Sequence, residues 1–127
     1  MDYPELRAQV QTAVDGMVTV DGASITMGGT VAIPAYSKTI QGQASGTTLV
    51  ADASGPILSI GSGGLGKTIT LNNLILERDP NVALNANGGG INIINSKAKL
   101  VMNDVTIRKH TLSGNSTVGM GGAIYAQ

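Results

Sequence analysis

Two short patterns in this sequence each occur twice, in the same order and at nearly the same spacing. TITLNNLILER at 68–78 is echoed by LVMNDVTIRK at 100–109. Leu71-Asn72-Asn73-Leu74 overlies Met102-Asn103-Asp104-Val105, then Leu76 overlies Ile107 and Arg78 overlies Lys109, an offset of 31 residues (71 to 102). GGGINI at 88–93 overlies GGAIYA at 121–126, an offset of 33 (88 to 121), with a small insertion expected around Ser113–Val118. Ordered markers at one spacing are an internal repeat, and the spacing lies in the range of solenoid units. A unit of this kind cannot bury its apolar side alone, so its neighbours in the stack must cover it.

The units are built from strands. Short β-branched and apolar pieces, each broken by Gly, Asp, Asn, Ser or Pro, occupy Met17–Val20, Ser24–Met27, Thr30–Ile33, Lys38–Gln41, Thr48–Ala51 and Ile57–Ile60. A β-sandwich would account for the strands but not for the repeat. With 18 Gly, no Phe, no Trp and three Tyr in 127 residues, the chain has many turns and few of the side chains that usually fill a broad core. That suits a narrow interior of stacked Val, Ile, Leu and Ala. The expected fold is all-β, a parallel β-solenoid of about four to five circuits.

The N-terminal stretch, residues 1–16, reads as a helical cap ahead of the solenoid at 17–127. Asp2 and Glu5 have the spacing of a capping box, and Pro4 is tolerated in a first turn. Leu6, Val10, Ala13 and Val14 fall on one face, and Asp15-Gly16 is the expected stop. An open stack end needs such a cover.

In a stack, identical positions of successive circuits lie above one another. Asn72 and Asn103 are expected at equivalent bends, accepting left-handed geometry and passing side-chain hydrogen bonds along the stack. Gly89 and Gly122, within Gly88-Gly89 and Gly121-Gly122, are expected to supply bends that larger residues could not make cheaply. These four form a structural ladder, not a ligand site.

These features resemble the right-handed parallel β-helix, or pectate-lyase-like, superfamily. IPAYSKTIQGQASGTTL at 33–49 is similar to its early Ile-Pro…Lys-Thr-Ile-x-Gly segment, and TLNNLIL at 70–76 to its strand–Asn–strand coil. Gly121-Gly122-Ala123-Ile124-Tyr125 resembles the Gly-Gly-Ala-Ile-Tyr element of polymorphic outer-membrane and autotransporter-passenger proteins. The resemblance implies a right-handed β-helix in a bacterial cell-surface or secreted protein. It also implies a non-catalytic adhesin-like or scaffold role and a host or carbohydrate surface ligand. The acidic start MDYPELRAQV is no signal peptide, so a secreted parent would be processed or longer, and Ala123-Ile124-Tyr125 stops mid-coil without a polar cap, as expected of the N-terminal part of a longer solenoid. Self-association, head to tail, is expected through an uncapped C-terminal coil.

Two catalytic or cofactor readings compete. Gly61, Gly66, Lys67 and Thr68 satisfy G-x-x-x-x-G-K-[ST], the phosphate-cradling loop of nucleotide-binding proteins. Such a loop must run into a helix whose N-terminus faces the phosphates, yet Thr68, Ile69 and Thr70 are β-branched and Asn72-Asn73 favours a bend. The repeat partner of 68–78 also has no place in a nucleotide fold. A polysaccharide lyase or hydrolase would use clustered acids from neighbouring coils. Of Asp2, Glu5, Asp15, Asp21, Asp52, Glu77, Asp79 and Asp104, only Glu77 and Asp79 are near neighbours in sequence, while Asp104 replaces Asn73 in the repeat. Arg78 and Lys109 are expected to stack on the surface and pair with these acids in solvent. His110 reads as a turn residue, Asn115-Ser116-Thr117 as a polar loop, and the Thr residues are too irregular for an ice-binding face.

No catalytic residue, metal ligand or cofactor is assigned. Eight basic and eight acidic residues cancel, which gives no electrostatic footprint for nucleic acid or an anionic membrane. The absence of Cys removes disulfides, thiolate metal sites and a Cys nucleophile. No segment approaches membrane-spanning length.

Overall fold

The computed structural model describes residues 1–84, 88–110 and 123–126. Among these residues one helix, α1 (Tyr3–Gln11), precedes ten strands. These are β1 (Gly16–Thr19), β2 (Ser24–Met27), β3 (Val31–Ile33), β4 (Lys38–Gln41), β5 (Thr47–Ala51), β6 (Leu58–Ile60), β7 (Thr68–Arg78), β8 (Ile91–Ile93), β9 (Lys99–Arg108) and β10 (Ile124–Ala126).

Every strand pairing is parallel, and each joins a strand to its counterpart one repeat later. β1 pairs with β4, β4 with the first half of β7, β2 with β5, and β5 with the second half of β7. β9 then pairs along the whole of β7. A second sheet has the order β3-β6-β8-β10. The pairings Leu71↔Met102 and Asn72↔Asn103 reproduce the 31-residue sequence offset, and Ile91↔Ile124 reproduces the 33-residue one. The sequence repeat is therefore the strand register itself.

The long strand β7 shows how one sequence turns a corner without losing its core face. Strict alternation would send Leu71 and Leu74 to opposite sides. Asn73 adopts φ 55°, a left-handed step that re-aims the chain at the doubled asparagine. As a result Ile69, Leu71, Leu74 and Leu76 are all buried at 1% exposure or less. Asp104 makes the same step in β9 at φ 54°. The left-handed residues are thus Asn73 and Asp104, one position after the expected Asn72 and Asn103. Gly42 sits beside this corner, where an added Cβ would strike the Asn73 backbone carbonyl, so only glycine permits the close approach.

The core is a column of stacked aliphatics: Val18 and Ile40 run into Leu71, Ile25 and Leu49 into Leu76, and Val31 and Leu58 into Ile91. At the N-terminal end α1 closes the column with Leu6 and Val10. Asp2 is its N-cap, accepting from Glu5 N at 3.0 Å. The helix stops at Gln11, four residues before Asp15: Thr12 turns to extended geometry while its hydroxyl bonds Ala8 O at 2.9 Å. Val14 therefore lies beyond the helix at 53% exposure and does not join the expected apolar face.

Candidate functional site

Thr68 opens strand β7. The glycine loop before it turns through left-handed Gly63, Gly64 and Gly66, at φ 90°, 80° and 79°. Four of its backbone groups make protein contacts. Lys67 N donates to Gly64 O at 2.9 Å, Lys97 N to Gly63 O at 2.8 Å, and Thr68 N to Ser37 Oγ at 3.1 Å. Lys67 Nζ lies 3.4 Å from Asp15 Oδ2 and 5.8 Å from the centre of the Tyr36 ring. Gly61, Gly66, Lys67 and Thr68 thus lead into a strand and not into the helix whose N-terminus faces the phosphates in such a loop. Asp15 also accepts from Ser37 N at 2.8 Å, and this bond, with Lys67 beside it, outweighs desolvation and lowers its pKa.

The polar ladder is built from three side chains. Asn103 Nδ2 donates to Asn72 Oδ1 at 2.8 Å, and Asn72 Nδ2 donates to Gln41 Oε1 at 2.9 Å. Gln41 is the member that sequence comparison missed, because no repeat was visible between 38–41 and 69–72; the register Gln41↔Asn72 reveals it. Gly89 is buried, and its carbonyl accepts from both Ile57 N and Arg78 Nη2. The left-handed glycine of that triplet is Gly88, at φ 67°. Gly122, like Gly121, Ser113–Val118 and Asn115-Ser116-Thr117, lies outside the described residues.

Arg78 overturns the expectation of a surface ion pair. It is 1% exposed and donates to three backbone carbonyls: Nη1 to Ala53 O, and Nη2 to Gly55 O at 2.6 Å and Gly89 O at 3.2 Å. The alternation of β7 explains this, since Arg78 is two residues beyond Leu76 and shares its inward side. Burial lowers its pKa from the ordinary arginine value. The solvent-side pairing belongs instead to Glu77, whose Oε2 lies 3.1 Å from both Arg108 Nε and Lys109 Nζ. His110 is half-buried and its Nε2 lies 3.0 Å from Leu76 O, which makes Nε2 the protonated nitrogen. Burial lowers its pKa, and neighbouring Arg78 adds to this, against the bond to Leu76 and the charge of Glu77.

One cleft of about 250 Å³ opens at the β7–β9 corner, lined by Ala44, Ser45, Gly46, Asn73, Ile75, Asp104 and Thr106. Its chemistry is a single carboxylate, an amide and two hydroxyls around the side chain of Ile75. Such a set can accept and donate hydrogen bonds to a hydroxyl-bearing ligand and offer an apolar patch to its ring face. Glycoside cleavage uses two carboxylates flanking one bond; Asp104 is the only one lining this cleft, and Glu77 is occupied by Arg108 and Lys109. Among the described residues no group of three His, Cys, Asp or Glu is placed to hold a metal ion, and no helix is long and apolar enough to cross a membrane. Compared with known proteins, the chain matches no family model, no curated protein and no solved structure.

Proposed function

We propose that this chain is a non-catalytic interaction module of a bacterial surface or secreted protein, adhesin-like or a scaffold, built as a right-handed parallel β-helix. The observation that carries the reading is the repeat-on-repeat parallel register, which places like residues in columns. Parallel crossovers between strands of one sheet are right-handed in nearly every known case, which supports that hand. The acids described at the corners serve the fold: Asp2 caps α1, Asp15 holds Ser37 N, and Asp79 accepts from Asn81 N at 2.8 Å. Asp104 lines the corner cleft. The ligand class that suits the cleft is a neutral, hydroxyl-rich surface glycan, bound without bond cleavage.

Immobilised surface polysaccharides, probed with the unchanged chain and with Asp104→Ala, test this. Retention of the unchanged chain, weakened about tenfold by the substitution, is the expected result. Release of reducing ends or unsaturated sugars would transfer the protein to the polysaccharide-cleaving enzymes. A rise in melting temperature with Mg·ATP would transfer it to the nucleotide-binding ones, because a ligand specific to the folded state must stabilise it.

A further inference from the structure

Each circuit turns at three corners, and the charges are not shared evenly among them. The corner that leads from β6 into β7, with its equivalents at 34–37 and 94–98, gathers four of the chain's five lysines: Lys38, Lys67, Lys97 and Lys99. Backbone bonds join these turns. Ser37 O accepts from Gly16 N at 2.9 Å, Gly63 O from Lys97 N at 2.8 Å, and Lys67 O from Lys99 N at 2.9 Å. Among the described residues the one acid there is Asp15, already 3.4 Å from Lys67 Nζ. Lys97 and Lys99 are exposed, and no described acid pairs with either. Asp21 and Asp104 lie at the next corner, and Asp52 and Asp79 at the third. A net charge of zero thus conceals a basic corner.

The same corner holds the three most exposed large apolar side chains among the described residues: Leu65 at 82%, Met17 at 65% and Val14 at 53%. Lys67 N closes a turn onto Gly64 O at 2.9 Å, with left-handed Gly66 at its third position, so Leu65 stands at the tip. Ala35 of the circuit before lies beside Gly63, and Ala98 of the circuit after lies beside Gly64. Leu65 is therefore exposed with circuits on both sides of its turn, away from either end of the stack. We propose that this corner docks on an anionic lipid surface, with Leu65 and Met17 entering the head-group boundary and Lys67, Lys97 and Lys99 meeting lipid phosphates. A soluble polyanion would engage the lysines and leave Leu65 in water. A lipid surface takes both, because binding there grows with buried apolar area and with attraction to anionic head groups. Lysine stems lie along the apolar boundary while their ammonium groups stay with the phosphates. The contact is separate from the corner cleft and uses none of its lining residues.

Co-sedimentation tests the proposal, with vesicles of phosphatidylcholine alone and of phosphatidylcholine mixed equally with phosphatidylglycerol. The unchanged chain should be carried down by the anionic vesicles at low salt and stay in solution with the neutral ones. High salt should release it. Leu65→Ser, at a position already exposed, should weaken vesicle binding about tenfold while leaving the circular dichroism spectrum unaltered. Lys97→Glu/Lys99→Glu should abolish binding. No binding to anionic vesicles, equal binding to neutral ones, or Leu65→Ser binding as well as the unchanged chain would each overturn the proposal. The last, together with retention of Leu65→Ser on heparin, would assign the corner to a soluble polyanion. Leu65 does not line the corner cleft, so Leu65→Ser should still be retained on glycan, and the two binding activities fail or stand separately.

Discussion

Strands β7 and β9 have nearly the same sequence pattern, the same left-handed corner and a continuous parallel register, yet their surroundings differ. In β7, Leu71, Leu74 and Leu76 are fully buried; in β9, the corresponding Met102 is 40% exposed and Val105 and Ile107 are half-buried. The difference comes from what lies on each side. β7 has β4 and β5 before it and β9 after it, whereas β9 has only β7 among the described strands. Apolar residues in a stacked array are stabilised by their neighbours, so burial is a property of a circuit's position and not of its sequence.

The comparison can be broken most forcefully by truncating equivalent side chains. Leu74→Ala should destabilise the protein by about 2–5 kcal/mol, and Val105→Ala, one circuit on, by about 1 kcal/mol or less. Urea titrations of the two variants check this, and equal losses would mean that both circuits are equally covered. Next in size is Arg78→Met. It removes the side-chain donor from the carbonyls of Ala53 and Gly55, leaves Gly89 O with Ile57 N alone, and should cost about 2–3 kcal/mol by thermal unfolding. Lys109→Met, at the position that overlies Arg78 in the repeat, removes only a solvent-side partner of Glu77 and should cost about 0.5 kcal/mol.

The amide ladder sharpens the contrast further. Asn72→Ala breaks two side-chain hydrogen bonds and should cost about 1–2 kcal/mol, while Asn103→Ala breaks one and should cost about half as much. The smallest effect is on pH dependence at the end of β9. The folded state lowers the pKa of His110, so the unfolded chain takes up its proton first. Stability is full above the ordinary histidine value, declines as pH falls through it, and levels off below the lowered folded value. Burial tends to raise the Glu77 pKa, but hydrogen bonds from Lys109 and Arg108 prevail and lower it. Its contribution is full above the ordinary carboxylate range and is lost as pH falls through the depressed folded value. A melting-temperature profile should therefore show two acid-side declines, and His110→Gln should remove only the upper one.

Much of the architecture was legible because a stack repeats its instructions. The Leu-Asn-Asn-Leu and Met-Asn-Asp-Val quartets gave the register of β7 on β9, and the paired glycine motifs gave that of β8 on β10. The earlier circuits carried no readable repeat, since β1 and β4 lie 22 residues apart (16 to 38) and share little beyond apolar alternation. Gln41 stayed hidden for that reason. Arg78 was misjudged because its charge suggested solvent, whereas parity along β7 counted inward from Leu76. The corner cleft was beyond reach altogether: Ser45, Asn73 and Asp104 belong to three different circuits and no local pattern unites them.

The sequence by itself determined where strands form, where they bend and which residues of the later circuits lie over one another. These follow from local propensity, glycine and asparagine backbone freedom, and the spacing of like residues. Only the tertiary structure decided which of two equivalent side chains is buried, which of Arg78 and Lys109 enters the interior, and which polar groups converge at the corner. Burial and convergence depend on neighbours distant in sequence, and a residue's own type does not record how many neighbours the stack places around it.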